Sequence, residues 1–198
     1  MSIANKARTG IKWGVFAKTC NQLFSWIATI WVIRLLSPDD FALIALSDLA
    51  IGVLLMVGQF GLGGALIRTP NLSKKQINQS LTALFIANTT LFIVFQFAAP
   101  FIAGFLDQPK LTLLIQVSAI SFLFVPFLTV NTALINRNML YKQSNIINIG
   151  IGLIQISTNL SLAFMGYGFW ALAIGLLVAQ FVRVICYTWL TRLIPRID

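Results

Sequence analysis

The chain has 198 residues, 58% of them hydrophobic and 10% charged, with a mean hydropathy of +0.88 and a net charge of +9. Soluble domains carry roughly a quarter charged residues, so this composition excludes a self-contained soluble fold and points to an all-α bundle of transmembrane helices. The excess cations lie between apolar runs rather than along one exposed face, which excludes nucleic acid as a partner and fits the loops of a multi-pass membrane protein.

A hydrocarbon core about 30 Å thick needs about 20 apolar residues per helix. Six spans of that kind fit the sequence, at 13–36, 40–66, 79–106, 111–135, 145–165 and 169–191, within a single domain covering 1–198. The first is longer than a signal-peptide core of roughly 7–15 residues, and no small-residue cleavage site follows it. Within it Lys18, Asn21, Gln22, Ser25 and Thr29 recur at helical spacing and form one polar stripe. Arg34 points nearly the opposite way and snorkels to the interface.

Ser37-Pro38-Asp39-Asp40 then reads as a helix start. Ser37 suits the N-cap, Pro38 the first helical position, and Asp40 completes a capping box with Ser37. Both aspartates sit at the positive end of the helix dipole. The second span carries Asp48, Gly52 and Gln59 on one face. It closes near Gly61-Leu62-Gly63-Gly64, which lacks the Lys-Ser/Thr of a phosphate-binding loop and suits close helix packing.

The third span aligns Asn78, Thr82, Thr89 and Gln96, and Asp107-Gln108-Pro109-Lys110 connects it to the fourth. Pro126 lies mid-span in the fourth and is expected to kink it. The fifth aligns Asn145, Asn148, Gly152, Gln155 and Asn159. After the tight Gly166-Tyr167-Gly168 turn, the sixth aligns Gln180, Arg183 and Tyr187. Trp13, Trp31, Trp170 and Trp189 lie near span ends, as an interfacial belt requires, while Trp26 lies deeper.

Two readings of the stripes stand side by side. Amides and hydroxyls can join helices across dry interfaces, each bond contributing about 0.6 kcal/mol. Alternatively, five striped helices line a shared polar cavity. Ionisable residues favour the cavity, because a charge at the bilayer centre costs at least about 2.5–3.5 kcal/mol. Lys18 and Asp48, on consecutive spans, are candidates to pair with each other; facing a watery pathway is the other solution. The candidate substrate pathway is Lys18, Asn21, Gln22, Ser25, Asp48, Gln59, Asn78, Asn148, Gln155 and Arg183.

Lysines and arginines divide unevenly between the loops. Lys6, Arg8, Lys12, Arg68, Lys74, Lys75, Arg137, Lys142, Arg192 and Arg196 fall on one side, against Lys110 and Arg34 on the other. Both termini are therefore expected in the cytoplasm. With no histidine in the chain, histidine triads and histidine metal sites are excluded. Cys20 and Cys186 fall inside spans and read as structural thiols. No catalytic residue, metal or cofactor is expected.

The loop motifs carry a resemblance. "RLLSPDDFALIAL" resembles the first hairpin of the bacterial polysaccharide and lipopolysaccharide (O-antigen-type) flippases, in the multidrug/oligosaccharidyl-lipid/polysaccharide exporter superfamily. "GQFGLGGALIR", "AAPFIAGFLDQPKL", "ALINRNMLYKQ" and "GYGFWALAIG" look like later connections of the same family, in order, from about residue 10 to 190. Ala42 stands where family members usually carry glycine. The resemblance implies translocation of an undecaprenyl-diphosphate-linked oligosaccharide across the inner membrane, by two helix bundles around a central cavity. It also implies about twelve to fourteen helices, so six amount to one lobe. Either the reading frame is truncated, or the chain pairs with a second lobe or with itself. Two other readings remain: an ion-coupled exporter of small cationic compounds, and a non-transporting membrane protein.

Overall fold

The computed structural model describes residues 34–58 and 74–191, preceded by Thr19, Gln22, Trp26, Ile30 and Trp31; for 53–58 and 74 it describes the backbone alone. All regular structure among these residues is helical. Helix α1 spans Pro38–Gly58, α2 Lys74–Phe105, α3 Lys110–Ser118, α4 Ser121–Arg137, α5 Tyr141–Phe164 and α6 Trp170–Thr191.

Among the described residues, four segments are long and apolar enough to cross a membrane: Lys75–Phe105, Lys110–Arg137, Tyr141–Phe164 and Trp170–Thr191. They correspond to the third through sixth expected spans. The second expected span is helical over Pro38–Gly58, and its remainder lies outside the described residues. The first is described only at isolated positions, helical at Thr19, Gln22, Trp26, Ile30 and Trp31. The length and hydropathy of the four segments are those of a multi-pass helical membrane protein. Helices α2 and α5 begin about four residues before their apolar runs, because Lys, Gln and Asn side chains continue a helix ladder beyond the hydrocarbon boundary.

Three of the described connections, after α2, α4 and α5, end their helices by one device. In each, a residue with positive φ follows the last turn, and paired backbone bonds close the helix end: Asp107 (φ 51°), Met139 (φ 53°) and Gly166 (φ 80°). The N–H groups of Gln108, Leu140 and Tyr167 reach back to the carbonyls of Ala103, Ile135 and Leu162 at 3.0, 3.0 and 3.1 Å. These are Schellman ends, which satisfy carbonyls that the helix itself leaves open. Glycine takes this conformation freely; Asp107 and Met139 pay for it sterically.

The fourth span departs from expectation. Its helix continues through Pro126, which is buried inside α4, and an interruption that the sequence did not signal falls at Ala119–Ile120. There the Ile120 N–H bonds to Val117 O at 3.1 Å, a tighter three-residue step.

Helix α4 lies between α2 and α6, α5 pairs closely with α6, and α1 leans on α3. Leu43 and Ile51 of α1 pack with Phe95 and Ala99 of α2, Leu111, Leu114 and Ile115 of α3, and Phe122 of α4. Leu81 and Leu84 of α2 meet Val130 and Ala133 of α4 in a second cluster. The outward faces are apolar: Phe97, Phe101 and Phe105 form a ridge one helical turn apart on α2, with Phe101 80% exposed. A contiguous apolar face of this kind suits lipid, not water.

Candidate functional site

The α5–α6 hairpin holds most of the polarity that the sequence displays as stripes. On α6, Ala171, Gly175 and Ala179 repeat every fourth residue and are buried, so the two backbones approach closely. Asn159 of α5 occupies the space above Gly175, where an added methyl group would collide with its amide. Oriented to satisfy its surroundings, that amide donates to the carbonyls of Ala171 and Gln155, each at 3.1 Å.

Three helices meet in a polar network near the other end of the hairpin. Tyr187 donates its hydroxyl proton to Asn148 Oδ1 at 3.0 Å, so its oxygen accepts from Ser144 Oγ at 2.9 Å. Asn131 of α4, fully buried, donates to Thr188 Oγ1 at 3.0 Å and accepts from Thr191 Oγ1 at 2.6 Å. This ties α4, α5 and α6 together with satisfied bonds, as a low-dielectric interior demands.

At the opposite end, Asp40 joins distant parts of the chain. Its Oδ2 accepts from Ser37 N–H at 3.0 Å and from Ser37 Oγ at 2.8 Å, while Ser37 Oγ accepts from the Asp40 N–H at 3.3 Å. The expected capping box is therefore formed. Its other oxygen accepts from the Phe169 N–H at 3.3 Å, in the α5–α6 turn. Gly168 beside it has φ 55°, and a Cβ there would lie 3.1 Å from the carboxylate. The start of α1 and the α5–α6 turn thus share one side of the membrane.

Of the candidate pathway residues, Lys18, Asn21, Ser25 and Gln59 lie outside the described residues, and with Lys18 goes its pairing with Asp48. Gln22 is helical and exposed. Asp48 is exposed on α1, on a face with Ala42, Ala45 and Leu49 that the other described helices leave open. Ten residues after Pro38, it sits about 15 Å along the helix. Asn78 is half-buried in the first turns of α2. Asn148 is bonded to Tyr187, and Gln155 is half-buried two turns further along the same helix. Arg183 is half-buried in α6, one turn before Tyr187; its Nε is shielded from solvent with no hydrogen-bond partner among the described residues. The hydroxyls of Thr82 and Thr89, from the third stripe, are likewise buried without a partner.

The sequence reading passed over Asn131, Ser144, Thr188 and Gln116, each of which bonds across helices. Asn131 and Gln116 are mid-span amides, and that alone marks them as polar groups in need of partners.

A family described as polysaccharide biosynthesis protein matches residues 31–198. The chain belongs to this family. Membership bears out the resemblance carried by the loop motifs. Over 201 aligned residues the chain is 24% identical to the succinoglycan biosynthesis transport protein ExoT of Rhizobium meliloti (strain 1021). That alignment covers 98% of this chain and 39% of the relative, so the chain spans well under half of the relative's length. No solved structure matches it significantly. In this polysaccharide biosynthesis protein, Ser37-Pro38-Asp39-Asp40 and Gly166-Tyr167-Gly168 meet through Asp40, so two of the resembling motifs have a joint structural role.

Proposed function

We propose that this chain is one lobe of a flippase that moves an undecaprenyl-diphosphate-linked oligosaccharide from the cytoplasmic to the periplasmic leaflet of a bacterial inner membrane. Family membership carries the reading, and a relative named as a transport protein supports it. No bond is made or broken in such a step, so the protein acts as a carrier and not as an enzyme.

The cargo's headgroup is a diphosphate, which guanidinium and ammonium groups bind by charge-assisted hydrogen bonds. Arg183, with its shielded and unfilled Nε donor, is the group in the described helices suited to it, and Lys18 is the second cation. Asn21, Gln22, Ser25, Gln59, Asn78 and Gln155 supply neutral polar contacts for sugar hydroxyls, while the lipid tail stays among membrane lipids. A second lobe or a second copy completes the cavity, and rocking of the two bundles gives alternating access. Lys75, Arg137 and Lys142 mark the cytoplasmic end, which puts both termini in the cytoplasm and the Asp40 turn in the periplasm.

Asp48 favours one other reading. An exposed carboxylate within an expected span suits an ion-coupled exporter of small cationic compounds. Export separates the two. In cells making the polysaccharide, Lys18→Ala and Arg183→Gln each remove a charge-assisted contact of about 1.5–3 kcal/mol, so glycan export falls about tenfold or more at unchanged protein level. Normal glycan export by both variants, with drug efflux lost in Asp48→Asn, refutes the flippase reading in favour of the second. A tagged native product running near twice 21.9 kDa supports the single-lobe assignment. A stable product at 21.9 kDa that neither co-purifies with a partner nor associates with itself sinks it.

A further inference from the structure

Two helix ladders are interrupted at the same level, and a side chain from the other helix closes each gap. In α2, Pro100 has no N–H to offer the carbonyl of Gln96, one turn back. That carbonyl accepts from Gln116 Nε2 at 3.0 Å. At the end of α3, the Ile120 N–H turns to Val117 O and so releases the carbonyl of Gln116. The released carbonyl accepts from Gln96 Nε2 at 3.1 Å. Each glutamine therefore supplies the open acceptor on its own helix and the donor that fills the open acceptor on the other. In an apolar surrounding, with no water to take the place of a lost donor, this exchange is what makes the two gaps tolerable.

The apolar core is divided close to the same level. Phe95 and Phe122 belong to the cluster that α2 and α3 share toward the Asp107 turn, with ring centroids 5.5 Å apart. Leu84 and Val130 belong to the separate cluster toward the other end. Between the two clusters α4 carries Pro126, which removes a further ladder bond.

We propose that the Gln96–Gln116 exchange is a clasp that binds the Asp107-side parts of α2 and α3 into one unit that opens as a whole. A helix bends most readily where its ladder lacks a bond. With both ladders open at one level and the openings filled reciprocally, neither helix bends there without disturbing the other.

The exchange makes a crossed prediction that ordinary packing does not. Gln116→Leu strips the donor from the Gln96 carbonyl, so its effect falls on α2. Gln96→Leu strips the donor from the Gln116 carbonyl, so its effect falls on the α3–α4 junction. Amide hydrogen exchange of the full chain in lipid nanodiscs, read by mass spectrometry, resolves the two places. Exchange should rise about tenfold or more over 97–103 in Gln116→Leu and over 117–123 in Gln96→Leu.

Pro100→Ala returns an N–H to the Gln96 carbonyl. It should restore protection in Gln116→Leu but not in Gln96→Leu, and in the otherwise unaltered chain it should slow exchange over 97–103. In the unaltered chain, 97–103 and 111–118 should also share one protection level, because they open together. Effects confined to each variant's own helix, rescue of both variants or of neither, or protection levels that differ by more than about tenfold would overturn the proposal. The measurements on the unaltered chain and on Pro100→Ala decide the matter even if a leucine variant fails to fold.

Discussion

Replacing Asp40 with alanine removes three hydrogen bonds at one stroke: from Ser37 N–H at 3.0 Å, Ser37 Oγ at 2.8 Å and Phe169 N–H at 3.3 Å. The first two hold the start of α1, and losing a cap of this kind costs about 0.5–2 kcal/mol. The third fastens that start to the α5–α6 turn; a bond of this type contributes about 0.5–1.5 kcal/mol, and its length places it in the lower half. Together the expected cost is about 1–3 kcal/mol. Asp39 is the internal control, since it offers the helix dipole the same charge but is exposed and makes none of these bonds. Asp39→Ala should therefore cost less than about 0.5 kcal/mol. Asp40→Asn, which keeps one carbonyl oxygen, should fall between the two. Thermal unfolding of the purified chain in nanodiscs, followed by far-ultraviolet circular dichroism, gives the ranking. Equal losses for Asp39→Ala and Asp40→Ala would show that only the dipole matters and that the link to Phe169 contributes nothing.

Further substitutions test the interior contacts in the same assay. Gly175→Ala drives a methyl group into the Asn159 amide and should cost about 1–3 kcal/mol; adding Asn159→Ala should recover most of the loss. Tyr187→Phe removes the hydroxyl shared by Asn148 and Ser144 and should cost about 0.6–1.7 kcal/mol, with Ser144→Ala adding little on top. Met139→Gly should stabilise by about 1 kcal/mol, because a side chain at φ 53° carries a steric cost that glycine lacks. A loss in that last variant would mean that the half-exposed Met139 side chain packs more usefully than its backbone conformation costs.

What the amino-acid order settles alone is what acts over a few residues. Hydropathy marks four spans that the structure forms, because any backbone in hydrocarbon must close its own hydrogen bonds. The Ser37–Asp40 box is legible because both partners lie within one helical turn. The connections at Asp107, Asn138 and Gly166 are legible because charge, amide and glycine interrupt an apolar run. Periodicity also sets which side chains share a face. It does not say what that face meets, and there the tertiary structure decides. The α5 stripe bonds to α6 through Asn148 and Asn159, and Asn131 finds Thr188 57 residues away, by packing that no local pattern contains. The fourth span breaks at Ala119–Ile120, which no local pattern marks, because the partner of the released carbonyl, Gln96, sits on another helix. A helix ladder yields where a neighbouring helix offers its polar groups a replacement bond, and that offer exists only once the helices have packed.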